Sequence, residues 1–382
     1  MKVSCAFDSG AIEVVAVDAA LGELQLRIRA DNAAEFAQWF HFRVDALVDR
    51  PLTLRFLNAG QCAYPGGWDG YRIAASYDRQ HWFRIETHYD GQEMRATLKP
   101  RHNSVSFAYF EPYPHERHLD LLGRVQSRPG VSLRTLGQTL DGRDMQLLQL
   151  GVGDAQTQAP KVWVIARQHP GETMAEWFVE GMLHRLLDPA DALARSLLQH
   201  CRWFVVPNMN PDGAVRGNLR TNAAGANLNR EWLEPSQERS PEVWLVRQAM
   251  LREGVDLCLD VHGDEVLPYN FCVGSQGTQG FHDGRAKLEE EFKCAWQQSY
   301  PDFQTRHGYP PVAPGEANPT LATNWVAQQF DCLALTIEMP FKDNADAPDA
   351  THGWSGARAQ ALGASVLLPV WQTVNPMRLG EG

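Results

Sequence analysis

The chain lacks both an excess of basic residues and any long apolar run. Its 35 Lys and Arg stand against 46 Asp and Glu, so its formal net charge is -11. Because this charge opposes general attraction to phosphate backbones and anionic lipid, we expect no nucleic-acid or membrane partner. No run reaches the ~18 apolar residues of a membrane-spanning helix. The start, "MKVSCAFDSGAIEVV", has no apolar stretch typical of a secretory signal.

Closely spaced cysteines are missing as well. The seven cysteines are odd in number, widely scattered and free of any CxxC pair. Most of them lie in apolar surroundings, which is typical of reduced, buried thiols. The rest of the composition, 44% hydrophobic and 21% charged, is that of an ordinary soluble protein. We therefore predict a reducing, cytoplasmic location.

The chain is also too long for one small core, because 382 residues exceed what a single domain usually contains. Residues 1–118 show short runs that alternate with period two, separated by turn signals. This pattern predicts an antiparallel β-sandwich domain. The apolar faces that we expect to be buried are Leu24, Leu26, Ile28 and Ala30, then Phe40, Phe42 and Val44, then Leu52, Leu54 and Phe56.

From residue 119 to residue 382 the pattern changes to short apolar strands that alternate with longer helical segments. This alternation predicts an α/β domain, with a mixed sheet covered by helices on both faces. In such folds, ligands collect beyond the carboxyl ends of the strands. The predicted strands are 162–166, 203–206, 255–261 and 332–337, and the predicted helices include 245–254, 285–298 and 321–330.

A candidate metal-binding turn, His169-Pro170-Gly171-Glu172, follows the first of these strands. Thr173 and Glu176 fit a capping box, which predicts that a helix begins directly after the turn. Pro170 and Gly171 tighten the turn and could bring the imidazole and the carboxylate toward one point, as a tetrahedral zinc site requires. Taken alone, a histidine and a glutamate three residues apart are more often surface residues.

Two further polar side chains stand at predicted strand ends. His262 ends the strand of "VDLCLDVHGD", and with His169 and Glu172 it would leave the fourth zinc position open for water, as in catalytic sites. Glu338 ends "CLALTIE" and could take the proton from that water. The alternative for Glu338 is a capped strand end or a salt bridge.

The segment 207–232, "PNMNPDGAVRGNLRTNAAGANLNREW", is polar and follows a buried strand. Arg216, Arg220 and Arg230 supply planar guanidinium groups suited to binding a carboxylate. A solvated loop is the alternative, although loops of this length without obvious structure are commonly functional.

The ordered motifs between residues 125 and 345 resemble the zinc carboxypeptidase superfamily, whose type member is pancreatic carboxypeptidase A. Within it, the chain is most similar to the cytosolic carboxypeptidase branch, which also has a sandwich ahead of the catalytic domain. Each motif is weak alone, but their order and their common position at strand ends make chance agreement unlikely. The motifs are "SRPGVSLRTLGQTLDGRDM", "HPGE", "NPDG", "NLNREW", "DVHGD", "NW" and "TIEMPF".

The resemblance implies one Zn²⁺ per chain, held by His169, Glu172 and His262. It makes Glu338 the general base, which activates the water and later protonates the leaving amine. Trp325, 13 residues earlier, looks like the tryptophan that precedes the catalytic glutamate in the family.

The resemblance also implies how a substrate would be held. Asn229 and Arg230 match the pair that clamps the terminal carboxylate of a substrate. The arginine that polarises the scissile carbonyl corresponds to Arg220, with Arg216 as the alternative. Tyr309 is the nearest candidate for the mobile tyrosine of the pancreatic enzymes.

The sequence departs from the family pattern at two positions. Asn227 stands where pancreatic enzymes have an aspartate that orients the first zinc histidine, and a neutral amide is a weaker partner for that histidine. After His262 the chain continues Gly263-Asp264, whereas many eukaryotic cytosolic members continue Gly-His.

The leading functional hypothesis is a zinc metallopeptidase that removes C-terminal residues from peptides or proteins. By analogy with deglutamylases of the same branch, acidic C-termini would be preferred. One alternative is hydrolysis of N-acyl amino acids or cell-wall peptides on the same scaffold. Another is a peptide-binding relative that does not catalyse. The oligomeric state is not indicated by the sequence.

Overall fold

The computed structural model describes residues 1–46, 48–152 and 158–379. The first ten strands form two five-stranded sheets, in the orders β1-β4-β10-β6-β7 and β2-β3-β5-β9-β8. These strands are β1 (Lys2–Ser4), β2 (Glu13–Asp18), β3 (Glu23–Arg27), β4 (His41–Asp45), β5 (Leu52–Phe56), β6 (Ile73–Ser76), β7 (Trp82–Ile85), β8 (Thr87–Tyr89), β9 (Met94–Leu98) and β10 (Ser104–Ala108).

The predicted alternation accounts for the core of this sandwich. Alternate side chains of β3, β4 and β5 point inward, and nine of the ten apolar residues named above are buried. The exception is Ala30, which lies beyond the end of β3 and is exposed. The strands pair antiparallel except β3 and β5, which run parallel to each other.

The remaining strands form one seven-stranded sheet, in the order β11-β12-β14-β13-β15-β17-β16. Its four central strands are parallel, and its outer strands are antiparallel, so the predicted mixed sheet is confirmed. The strands are β11 (Val131–Gln138), β12 (Asp144–Gly151), β13 (Lys161–Ala166), β14 (Arg202–Val206), β15 (Leu257–Val261), β16 (Phe271–Val273) and β17 (Leu333–Glu338).

Helices cover both faces of this sheet, because successive side chains of each strand point to opposite sides. Val162 and Val164 of β13 belong to one buried cluster, whereas Trp163 and Ile165 belong to another. The helices are α1 (His115–Gln126), α2 (Met174–Leu186), α3 (Ala192–His200), α4 (Pro211–Arg216), α5 (Pro241–Glu253), α6 (Asp283–Ser299), α7 (Ala322–Phe330), α8 (Gly356–Ser365) and α9 (Leu367–Leu379). The first cluster includes side chains of α2, α6, α8 and α9, and the second includes side chains of α5 and α7.

The expected division after residue 118 falls inside α1. His118 on this helix is buried, and its ring nitrogens lie 2.8 Å from a carboxylate oxygen of Glu176 in α2 and 3.1 Å from the side-chain oxygen of Gln146 in β12. These contacts attach α1 to the α/β domain.

The capping box predicted for α2 is wrong. Thr173 has helical backbone angles and makes no side-chain capping bond; its hydroxyl donates to the carbonyl oxygen of Glu111 at 2.7 Å. Glu176 is fully buried and its carboxylate binds Arg167 and His118. Tertiary contacts have therefore replaced local capping at this helix start.

Among the described residues, no helix is both long enough and apolar enough to cross a membrane. All seven cysteines are described and are free thiols.

Candidate active site

A cavity of about 790 Å³ opens beyond the carboxyl ends of β13, β15 and β17, where the fold class predicts a site. The candidate metal-binding turn follows β13, His262 follows β15, and Glu338 is the last residue of β17. Since these strands are parallel neighbours, their ends bring the three segments to the same edge of the sheet.

Three buried side chains converge at this edge. His169 Nδ1 lies 2.6 Å from Glu172 Oε1, and His262 Nδ1 lies 2.8 Å from Glu172 Oε2. The two Nδ1 atoms are 3.2 Å apart. Two imidazole nitrogens and a carboxylate are the donor set of catalytic zinc sites, which keep the fourth position open. The residues present therefore fit a zinc ion.

The outer nitrogen of each histidine has its own partner. His169 Nε2 lies 3.0 Å from Asn227 Oδ1, and His262 Nε2 lies 3.0 Å from Asp260 Oδ2. The Gln168 amide donates to both oxygens of Asp260, at 2.9 and 2.8 Å. When Nε2 carries the proton and donates outward, Nδ1 is left as the free electron-pair donor, as a ligand must be.

The sequence interpretation missed Asp260. Its position was a usable signal, because residues two apart in a strand share a face and Asp260 is the one charged residue in "LCLDV". Asn227 lies beside His169, whereas the carboxylate partner belongs to His262.

Burial and charge act oppositely on the two histidines. Burial, with the nearby Arg220 charge, lowers the pKa of His169 to about 4, which keeps its imidazole neutral. Burial also disfavours the charged form of His262, but the charges of Asp260 and Glu172 outweigh it and raise the pKa well above its usual value.

Glu338 lies beside the donor set and is 6% exposed. Burial raises its pKa well above the usual range, and Glu172, Asp264 and Glu265 add to the shift, while His262 opposes it. Glu338 Oε2 has no hydrogen-bond partner among the residues that the structure describes. A buried carboxyl with a raised pKa is suited to accept a proton and later return it.

Tyr309 lies in the cavity wall near this carboxyl group. Its hydroxyl donates to Asp264 Oδ2 at 2.6 Å and lies 3.2 Å from Glu338 Oε1. In the sequence, Tyr309 was only the nearest candidate, because its position does not align with the tyrosine of the pancreatic enzymes. In the structure, Tyr309 lines the cavity.

The predicted substrate-binding residues divide into two groups. Arg220, Asn229 and Arg230 line the cavity. Asn229 is held by its side-chain oxygen, which accepts from the backbone amide of Ala322 at 2.8 Å. The alternative Arg216 needs correction: it ends α4 outside the cavity, and its guanidinium binds the Asp141 carboxylate at 2.7 and 2.8 Å.

The cavity also contains side chains that the sequence interpretation did not place. Tyr64 comes from the sandwich domain, and Glu265 follows Asp264. Burial raises the pKa of Glu265 to about 8, with Arg220 opposing the shift and Glu172 and Asp264 adding to it.

Residues 119–373 match the model of the zinc carboxypeptidase family, and residues 3–110 match that of the cytosolic carboxypeptidase N-terminal domain. The chain belongs to the zinc carboxypeptidase family. It is a metallocarboxypeptidase whose catalytic domain follows the N-terminal domain of the cytosolic branch.

Similar structures cover this carboxypeptidase almost completely. A metallo-carboxypeptidase from Pseudomonas aeruginosa, in complex with (2-guanidinoethylmercapto)succinic acid, is 47% identical with a TM-score of 0.95; the match covers 99% of this chain and 100% of that one. A metallo-carboxypeptidase from Burkholderia cenocepacia is 48% identical with a TM-score of 0.95, covering 98% of this chain and 99% of that one.

Curated relatives differ in how much of their length is matched. An uncharacterized protein of Zymomonas mobilis is 46% identical over 96% of this chain and 95% of its own. Cytosolic carboxypeptidase 4 of Mus musculus is 27% identical over 58% of this chain, but the match covers only 24% of the mouse protein.

Proposed function

We propose that this metallopeptidase hydrolyses the C-terminal peptide bond of peptides or proteins, with His169, Glu172 and His262 holding one Zn²⁺. The main support is that this donor set, Glu338 and two arginines line one cavity. Zinc, when bound, supplies a Lewis acid that activates water and polarises a carbonyl near neutral pH.

Residues of the chain would carry out the proton transfer, the charge stabilisation and the binding of the substrate. Glu338 accepts the proton of the attacking water and returns it to the leaving amine, since its environment favours the protonated form. Arg220 stabilises the negative charge that develops on the scissile carbonyl oxygen. Asn229 and Arg230 bind the terminal carboxylate, for which a planar guanidinium is well suited.

The Tyr309 hydroxyl lies close enough to Glu338 to donate to it or to a substrate group beside it. We assign Tyr309 to substrate binding, and Asn227 to the orientation of His169.

The preference for a C-terminal side chain follows from the remaining charges. Among the described residues, Arg220 and Arg230 are the cations that line the cavity, and both have roles on the substrate backbone. Asp264 and Glu316 add negative charge to the same wall, and Glu265 adds a carboxyl group whose pKa burial raises to about 8. The acidic preference suggested by resemblance is therefore less favoured than a neutral or basic side chain. The compound in the complex of the Pseudomonas aeruginosa relative carries a basic guanidino group in addition to its succinic acid carboxyl groups.

The test is a set of peptides that differ only in the last residue, Glu, Gln or Lys, assayed for release of that residue with and without a chelator. We expect chelator-sensitive release, faster for Gln and Lys than for Glu. Hydrolysis of N-acyl amino acids or cell-wall peptides, with none of these peptides cleaved, would replace the proposal. Binding without cleavage would indicate a non-catalytic relative.

We place this activity in a reducing, cytoplasmic compartment. The seven free cysteines and the cytosolic naming of the eukaryotic relatives support this location.

A further inference from the structure

Arg220 belongs to the catalytic domain, but its backbone is fixed by a residue of the N-terminal domain. The buried carboxylate of Asp31 accepts hydrogen bonds from three consecutive amides, those of Leu219 at 2.5 Å, Arg220 at 2.8 Å and Thr221 at 2.9 Å. The Thr221 hydroxyl donates to the same carboxylate at 2.9 Å. One side chain thus holds the segment on both sides of Arg220.

The guanidinium of Arg220 is flanked by the same domain. Its central carbon lies 5.5 Å from the ring centre of Tyr64 and 5.8 Å from that of Phe36. Cations within ~6 Å of an aromatic ring centre are attracted to its face. Tyr64 also lines the cavity, so this contact reaches the place where substrate would bind.

These contacts fix the position of Arg220 before a substrate binds. Donors that stabilise developing charge are effective when they are already oriented, and a displacement of ~1 Å can lower a rate by roughly 100-fold. Asp31 is only 6% exposed, so the amides that it binds have little water to replace it.

We propose that Asp31 is a positioning residue for Arg220, and that the N-terminal domain is thereby a working part of the catalytic site. The proposal deepens the proposed function and rests on it for the role of Arg220. It makes the sandwich necessary for the rate of the reaction and not only for folding.

The test is a double-mutant cycle of Asp31→Asn, Arg220→Ala and the double variant. Asp31→Asn replaces an acceptor oxygen by an amide donor that faces the backbone amides. We expect it to lower kcat by about 10- to 100-fold, with a smaller change in KM, in the wild-type background. In the Arg220→Ala background it should lower kcat no further, because Asp31 acts through Arg220.

Asn32→Ala is the matched control. Asn32 is adjacent to Asp31 and binds the same loop, through Asn218 at 2.6 Å and the carbonyl oxygen of Ala223 at 2.8 Å. It does not bind residues 219–221 through its side chain in the described structure, so we expect near wild-type kcat. If Asp31→Asn does not fold, Thr221→Val removes only the hydroxyl bond and should lower kcat in the same direction by a smaller factor.

Amide hydrogen exchange across residues 218–222 gives a readout that needs no activity. We expect faster exchange in Asp31→Asn than in Asn32→Ala or wild type. Zinc affinity is measured in parallel, because the Leu219 carbonyl also accepts from Gly171 of the metal-binding turn at 2.8 Å. We expect it to change less than kcat.

Equal losses of kcat in both backgrounds, or unchanged kcat despite faster exchange, would overturn the proposal. If the wild type cleaves no peptide, the proposed function is wrong, but the positioning role of Asp31 can still be tested. The affinity for (2-guanidinoethylmercapto)succinic acid is then measured for the wild type and the three variants of the cycle. Weaker binding in Asp31→Asn, with no further weakening in the double variant, would still support positioning. Unchanged binding would reject it.

Discussion

Arg220 and Arg216 are four residues apart, and the structure gives them opposite surroundings. Arg220 lines the cavity close to two aromatic rings, whereas Arg216 forms an exposed ion pair with Asp141. We expect Arg220→Ala to lower kcat by about 10²- to 10³-fold, because a donor to the developing oxyanion is removed. Arg216→Ala should stay within roughly twofold of wild type, since exposed ion pairs contribute little. Steady-state kinetics on one peptide separates the two, and similar losses would contradict this assignment.

Asp260 should tune metal affinity through His262. Outer partners of metal-binding histidines typically change affinity by about 10- to 100-fold. We expect Asp260→Asn to weaken zinc binding by a factor in that range, measured by competition with a chelator of known affinity. Asp256→Asn, a partly exposed carboxylate just before the same strand, is the control and should leave zinc affinity unchanged. Equal affinity in the Asp260 variant would show that the His262–Asp260 bond does not support the metal.

At the residue scale, the sequence predicts the location of side chains best where polar residues stand at the ends of apolar strands. The candidate metal ligands follow apolar strands and Glu338 ends one, so their proximity could be predicted from the parallel sheet. Asp260 was missed although it shares a strand face with His262, and Asp31 and Tyr64 have no comparable signal in the sequence. Their roles depend on which side chain they face, and two of them belong to the other domain.

Among the elements, α5 carries a buried carboxyl group that is bonded to the segment 207–232. Glu242 lies in its first turn, and the Asn222 amide donates to both its oxygens, at 3.4 and 3.1 Å. Burial raises the pKa of Glu242 from 4.5 to about 7. The folded state therefore holds a proton that the unfolded state loses between these two pKa values, and stability from this group falls as pH rises through that window.

We expect Glu242→Gln to remove this pH dependence. Relative to the variant, wild type should lose up to roughly 3 kcal/mol of unfolding free energy between pH 4.5 and pH 7. Urea unfolding of both proteins across this range measures the difference. Glu238→Gln, at an exposed position nearby, should keep the wild-type slope. Parallel curves for wild type and Glu242→Gln would contradict the raised pKa.

The elements themselves show where local patterns suffice. The four predicted strands of the α/β domain match β13, β14, β15 and β17 to within two residues at each end, because buried parallel strands are continuously apolar. The start of α2 was predicted for the wrong reason: Thr173 and Glu176 fit a capping box by spacing, but both are used in contacts with distant segments. The helix α4 inside segment 207–232 was also missed.

For the whole molecule, the change of pattern near residue 118 predicts a division into two domains, but it does not indicate which residues of the first 118 reach the cavity. Helix α1 spans the expected division, and the N-terminal domain contributes Tyr64 to the cavity and Asp31 to its support. Sequence periodicity reports which face of an element is buried, and it carries no information about which partner covers that face.

The central claim, a zinc-dependent peptidase with Glu338 as its base, is tested most directly by returning zinc to the chelated protein while release of a C-terminal residue is followed. Glu338→Gln is the matched variant, since Glu338 is not in the predicted donor set. We predict that the activity of the wild type rises linearly with added zinc until one zinc ion is bound per chain. The variant should also bind one zinc ion per chain, but its rate of hydrolysis should be lower by several orders of magnitude. Full activity before zinc is added, or equal activity in the variant, would contradict the account.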